Sequence, residues 1–536
     1  MIPHLNRRSL LLGAAGAATA GLVGCTTGPA SNPHPGNTTT ARPAYVPFEG
    51  LAPDLPSTPQ GVPAAFLNYP KDPVSYARTP VSDGAAISVL APTNGGSPAK
   101  PGNKWWQNLQ RVLGIDLSMT MVPGTELTAK QQTMLAGGEI PDIAIVNPNN
   151  VPLGALQKYF ADLGPFLGGD AVKQYKALAA IPSLAWRTPT INGTLFGIPQ
   201  PRIAVSYTLG VRSDIASQLG LTVEVKDGDD LVELFRLLTD ANAKRWAFGQ
   251  DPMWLLRLVL EMHGVPNGAN AWREENGKFT SMYEADGMVE SLEVVAQLWK
   301  AGYLHPESAM ANAGWFPSGT VAAYVGDFTS FPNLLATNPD IGIQLVPAPK
   351  WEGGGLAVKQ LNAGASGNYA AFKKADEDRI RTLLSVADYL AAPVGTTEYL
   401  VANYGEEGVG YTFDGSDPVL TDTGNAERFA SQSLGYVTSG AMNVLYVPGQ
   451  PEFVKQMHGF ASTVLANSYF NPTIGLYSPT NAAAAGLNAG NKMGTVMQDI
   501  MYGRQPVSAW DAAVQEWRQA AGDKVRGEYE QAFADQ

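Results

Sequence analysis

A single cysteine in 536 residues excludes an intramolecular disulfide scaffold and any site built from several thiolate ligands. Basic residues are scarce: 36 Lys plus Arg against 48 Asp plus Glu give a net charge of -12, the wrong sign for a general nucleic-acid binder. Charged residues make up only 16% of the chain and hydrophobic ones 45%, which excludes a wholly disordered polymer. Histidine is nearly as rare. His4 and His34 lie near the start, and His263, His305 and His458 are far apart in sequence, so each reads as a structural residue rather than a ligand or base. The chain has no G-x-S-x-G, H-E-x-x-H, G-x-x-x-x-G-K-[ST] or G-x-G-x-x-G motif. Asp227 to Asp230 do not fit an EF-hand loop and read as a solvated turn, so neither metal nor cofactor is expected.

The one cysteine has a context. Arg7 and Arg8 precede the apolar run Leu10 to Ala18, which ends at Leu22-Val23-Gly24-Cys25. The apolar run is too short for a confident spanning helix, and the pattern is that of an export signal. Asn6-Arg7-Arg8-Ser9-Leu10-Leu11 resembles a twin-arginine signal, and Leu22-Val23-Gly24-Cys25 resembles a lipobox whose Cys25 becomes the lipidated first residue. Residues 1–24 are then a signal peptide. Residues 25–63, rich in Pro and Thr, read as an extended, mobile tether.

Beyond the tether, hydrophobic periodicity predicts strand, helix, strand, helix, strand: Ala86 to Ala91, a helix carrying Trp105, Leu109, Val112 and Leu113, then Ile115 to Met121 alternating with polar residues. A helix through Met134 and Leu135 stops at Gly137-Gly138, and Ile143 to Val146 closes the series. That order predicts an open α/β sheet with ligand in the loops 92–106 and 147–153, after the strands' carboxyl ends. The pattern restarts with a strand at Ala204 to Val211. Helices follow near 214–219, 231–239, 254–262, 287–301 and 377–391, and a last one starts after Ser508, read as an N-cap, and runs through Gly522. Aromatic residues beside loop polar residues suit a carbohydrate pocket, in which flat rings cover sugar C–H faces and polar groups bond hydroxyls. Trp299, Trp510 and Trp517, on helical stripes, read as core.

Several local patterns are similar to the extracellular solute-binding lipoproteins of carbohydrate ABC importers. They are the lipobox, Met134-Leu135-Ala136-Gly137-Gly138-Glu139-Ile140-Pro141-Asp142-Ile143, Gly193 to Pro199, Val211-Arg212-Ser213-Asp214 on through Leu221, Tyr404 to Tyr411 and Tyr502 to Asp511. Lys226-Asp227-Gly228-Asp229 departs from the family's Pro-Thr-Thr turn. The resemblance implies a two-lobed periplasmic-binding-protein-like (type II) α/β fold with hinge strands: 64–205 plus 366–415 as lobe 1, and 206–365 plus 416–536 as lobe 2. Chain crossings are expected near Val205 to Tyr207, near Ala365 to Tyr369 and after Tyr411. Ligand contacts are expected from Asn94, Trp105, Trp106 and Asn147 in the first lobe, and from Arg202, Trp254, Asp327, Phe328 and Trp351 in the second lobe or hinge. The implied protein is a monomeric, non-catalytic receptor held to the outer face of the membrane by lipidated Cys25. Its implied partners are a carbohydrate and ABC permease subunits. Two alternatives stay open: a polysaccharide-active lipoprotein enzyme with an unmarked carboxylate pair, and a receptor for peptides or another polar solute.

Overall fold

The alternation of Ile115 and Leu117 with Asp116 and Ser118 points one strand face inward. In the computed structural model, Ile115–Pro123 is that strand, with Ile115 and Leu117 buried. The structure describes residues 41–58, 61–93, 102–147, 150–268, 271–310, 312–361, 365–427, 434–440 and 444–535. Cys25 and Asn94 lie outside the described residues.

Ala85–Thr93 pairs in parallel with Ile115–Pro123 on one side and with Ile143–Val146 on the other. Parallel neighbours need a crossover, and the helices Lys104–Leu113 and Leu127–Gly137 supply two of them. The first is capped by the Asn103 side chain, which accepts from Trp106 N–H, and ends at Gly114 with φ 65. A side chain at Gly114 would meet the Ser82 carbonyl oxygen at 2.2 Å, so glycine alone fits there. Ala365–Phe372 completes the sheet by pairing antiparallel with both Ile143–Val146 and Ile198–Pro201. The Pro141-Asp142 motif has a local purpose. Asp142 accepts from the Ser88 amide and hydroxyl at 2.8 and 2.7 Å and pairs with Arg379 at 2.9 Å, tying two strands to the helix Glu377–Leu390.

The second sheet has Thr208–Arg212 between Ala323–Gly326 and Ile343–Val346, both antiparallel to it. Arg212 grips Asp214 through two bonds of 2.8 and 2.6 Å and donates to the Phe316 and Pro317 carbonyls, which accounts for the Val211-Arg212-Ser213-Asp214 pattern. Each sheet has its own core. Ile87, Leu109, Ile145, Leu384 and Val437 belong to the first; Leu209, Leu256, Leu292, Met497 and Trp510 belong to the second. The chain leaves the first sheet at Pro201, enters the second at Thr208, and returns by Ala365. A third core gathers Ile203 and Val205 of that crossing with Leu445, Val447 and the helix Pro451–Leu465.

Three expectations need correction. Residues 41–58 and 61–63 do not hang free as part of a tether. Ala44 and Val46 N–H donate to Gly169 and Ala179 at 2.9 Å each, Leu55 and Ala65 exchange two backbone bonds, and Val62 is buried beside Ile203 in the third core. Proline density suggested a spacer, but extended proline-containing chain docks well wherever a few apolar side chains anchor it. The lobe boundary at 415/416 falls inside the hairpin Tyr411–Asp414/Asp417–Leu420, and Leu434 and Val437 still pack in the first core, so the last crossing comes between Val437 and Leu445. Ser508 makes no side-chain cap bond, and the helix begun at Ala509 continues through a π turn at 518–522 into Asp523–Ala534.

A buried acid in the first core makes stability depend on pH. Asp388 accepts from the Ala177 and Leu178 amides at 2.8 and 2.9 Å. Burial nevertheless pushes its carboxyl from 3.8 up to about 7; Glu398 adds to the rise, while the two amides and Lys176 oppose it. The folded chain therefore holds this proton more tightly than the unfolded chain does. The stability it contributes is complete below about pH 4 and is lost as pH rises through 7. Asp388→Asn keeps an acceptor for the amides and cannot ionise. The thermal midpoint of the wild type should fall more than that of the variant between pH 5 and 8; parallel pH profiles would refute the assignment.

Candidate functional site

Ligand clefts in α/β sheets form beyond the carboxyl ends of strands. Here a cleft of about 730 Å³ opens there, between the two sheets. Thr93, the last residue of its strand, lines it, as do Gln200 and Arg202 at the first crossing and Asp327 just after the strand Ala323–Gly326. The helices Ser330–Thr337 and Thr397–Tyr404 face it with Asn333, Tyr399, Asn403 and Tyr404. The hairpin contributes Asp414 and Asp417, and the last crossing contributes Tyr436, Thr438, Ser439 and Tyr446. This lining mixes aromatic faces with amides, hydroxyls and a few charges, a set suited to binding a polyhydroxylated solute.

Its electrostatics centre on Arg202 and Asp327. Burial raises the Asp327 carboxyl, and the charges of Arg202 and Lys359 pull it back down. Arg202 also donates to the Thr329 hydroxyl at 3.5 Å, and its charge opposes the burial-driven rise of the Tyr436 phenol. Asp417 anchors the cleft wall. Its carboxylate accepts from Tyr69 N–H at 2.6 Å, Tyr446 O–H at 3.0 Å and Gly449 N–H at 3.1 Å, joining three segments remote in sequence.

The first crossing is held from behind. Lys359 Nζ donates to the Ser206 carbonyl at 2.8 Å and to Glu261 at 2.5 Å, with both side chains buried. The next residue, Tyr207, has φ 51, a left-handed conformation rare for an aromatic residue and held by its surroundings. Its ring meets Trp254 at 6.0 Å and lies under the Arg257 guanidinium at 5.8 Å, and its buried phenol feels the charges of Arg257 and Asp327.

Of the residues expected in the site, Arg202 and Asp327 meet in the cleft, and Trp254, 36% exposed, adjoins them through Tyr207. The others do not join them. Phe328 is fully buried and stacks on Phe460 at 5.6 Å, because its side chain and that of Asp327 project in different directions. Trp105 is buried in the first core with half-buried Trp106 beside it at 5.9 Å. Trp351 stacks on His263 at 4.7 Å and covers Gly228, where any side chain would collide with the indole. Asn147 follows its strand, and its carbonyl accepts from Asn150 N–H at 3.0 Å; it is not among the described cleft-lining residues. Sequence reasoning missed Gln200, Asp417 and the tyrosines at 399, 404, 436 and 446. Only Tyr404 stood in a motif already singled out.

Residues 108–405 match the family of bacterial extracellular solute-binding proteins. The chain belongs to that family. The polygalacturonan/rhamnogalacturonan-binding protein YtcQ of Bacillus subtilis (strain 168) is 22% identical over 461 residues, covering 81% of this solute-binding protein and 88% of the relative. Lipoprotein LipO of the same organism is 24% identical over 255 residues, 43% of this chain and 47% of its own length. The N-glycan transport solute-binding protein NgtS of Streptococcus pneumoniae superposes with a TM-score of 0.60 at 16% identity, covering 84% of this chain and 98% of that one. The expected two-lobed α/β fold is therefore present.

Proposed function

We propose that this protein is a non-catalytic receptor that captures an oligosaccharide between its two lobes and delivers it to the permease of an ABC importer. The observation that carries the reading is the interlobe cleft. Its volume of about 730 Å³ and its tyrosine, amide and hydroxyl lining match a sugar chain of more than one ring, and its walls come from both lobes and the crossings. A ligand touching both lobes stabilises their closure, and closure changes the surface offered to a permease. The names of YtcQ and NgtS, which refer to pectic polymers and N-glycans, support a carbohydrate ligand. The lipobox at Cys25 and the likeness to a protein named a lipoprotein support anchorage to the outer face of the membrane. One chain supplies both walls of the cleft, which supports a monomeric receptor.

Calorimetry of the purified chain against oligosaccharides of three to six rings should give one site per chain and a ligand recovered unchanged. Arg202→Ala should weaken binding at least tenfold while leaving the far-ultraviolet spectrum unaltered. Turnover of the sugar, or binding confined to peptides, would overturn the receptor reading.

A further inference from the structure

The first crossing is fixed at both ends. On the side of the first sheet, Ile198, Pro199 and Pro201 stand in register with Ala370, Tyr369 and Ala365, and Gln200 Nε2 donates to the Gly435 carbonyl at 2.9 Å. On the side of the second sheet, the Ser206 carbonyl accepts from Lys359 Nζ at 2.8 Å, and that ammonium is itself paired with Glu261 of the helix Pro252–Met262. Tyr207 packs on the same helix, its ring beside Trp254 and under Arg257. The strand Lys359–Leu361 belongs to this body too. Lys359 N–H donates to the Asn467 carbonyl at 3.0 Å, and Gln360 accepts from Asn267 N–H at 2.6 Å and donates to the carbonyl of Trp272, a residue of the second core, at 3.0 Å. Between the fixed ends, residues 202–205 belong to no helix or strand. Among the described residues, the backbone bond that reaches this stretch runs from Phe328 N–H to the Val205 carbonyl at a long 3.4 Å. Ile203 and Val205 otherwise hold it through apolar contacts in the third core, which can slide where a bond to a buried ammonium cannot.

Resting on the reading that the two lobes close on a solute, we infer that Lys359 is a positioning residue for that motion. By pinning the Ser206 carbonyl it makes Ser206 and Tyr207 part of the second lobe and confines bending of the first crossing to residues 202–205. A short bending stretch leaves the chain fewer conformations to lose when the lobes close. Arg202, at the head of that stretch, lines the cleft, so a solute held there bears on the segment that bends.

Nitroxide labels on Glu139→Cys and Lys300→Cys, exposed positions of the first and second lobe, in a Cys25→Ser chain give the distribution of interlobe distances without any sugar. Ala204→Gly, in the free stretch, should widen that distribution by about half or more, because glycine adds backbone freedom where nothing pins the chain. Ser206→Gly, two residues on, should leave it unchanged, since the pinned group is a backbone carbonyl that glycine keeps. The double change Glu261→Leu with Lys359→Met removes the pin and should itself widen the distribution by about half or more, and Ser206→Gly added to it should widen it further. Asp214→Ala breaks the ion pair with Arg212 inside the second lobe and should not alter the width, which separates loss of the pin from general loosening. Equal widening by Ala204→Gly and Ser206→Gly in the otherwise unchanged chain, or an unaltered width in the double variant, would overturn the role given to Lys359. The widths are read without ligand, so failure to bind any sugar would overturn the receptor reading alone.

Discussion

Lys359→Ala is expected to lower the unfolding free energy by about 3–5 kcal/mol, because it leaves the carboxylate of Glu261 buried without its partner. The pair is 3% and 5% exposed with 2.5 Å between Nζ and the carboxylate, and burial already raises the Glu261 carboxyl against the pull of Lys359. Glu261→Ala should cost a similar amount, now by stranding the ammonium. The double change Glu261→Leu with Lys359→Met replaces the pair with apolar groups of similar size and should recover at least half of either loss. Urea unfolding of the three variants checks this, and single variants with wild-type midpoints would refute it. The double variant has a second use. It folds yet lacks the ammonium that holds the Ser206 carbonyl, so a weaker affinity for sugar in that variant would report the crossing's own contribution to closure.

Asp417→Ala should be nearly as damaging, by about 3 kcal/mol, because the buried Tyr69 amide and Tyr446 hydroxyl lose their acceptor and the Gly449 amide loses its bond as well. Asp417→Asn keeps one carbonyl oxygen and should cost less than half as much. The same change loosens the hairpin and last crossing that form one wall of the cleft, so affinity for sugar should fall along with stability. Guanidinium unfolding and calorimetry read the two effects separately. A fully stable Asp417→Ala variant would mean that the three donors find other partners.

The regular elements were legible wherever periodicity was strong. The alternation at Ile115 to Met121 and the Gly137-Gly138 stop each carry their meaning within a few residues. Arg202 was legible as a polar residue beside the first crossing, and Asp327 as a polar loop residue beside aromatics. The aromatic expectations fared worse because a loop tryptophan beside a glycine looks the same whether it faces solvent or folds back. Trp351 folds its ring over Gly228, a packing relation between residues far apart in sequence. Asp417 and Tyr436 were out of reach for a related reason. Their place in the cleft follows from the last crossing, which brings segments from distant parts of the chain against the hinge.

The docked segment from residue 41 onward is a strap laid from the first core to the crossing. Its start is bonded at Gly169 and Ala179 beside the first core, and Val62 near its end packs with Ile203 and Val205 of the first crossing, so trimming it should loosen a lobe and the hinge together.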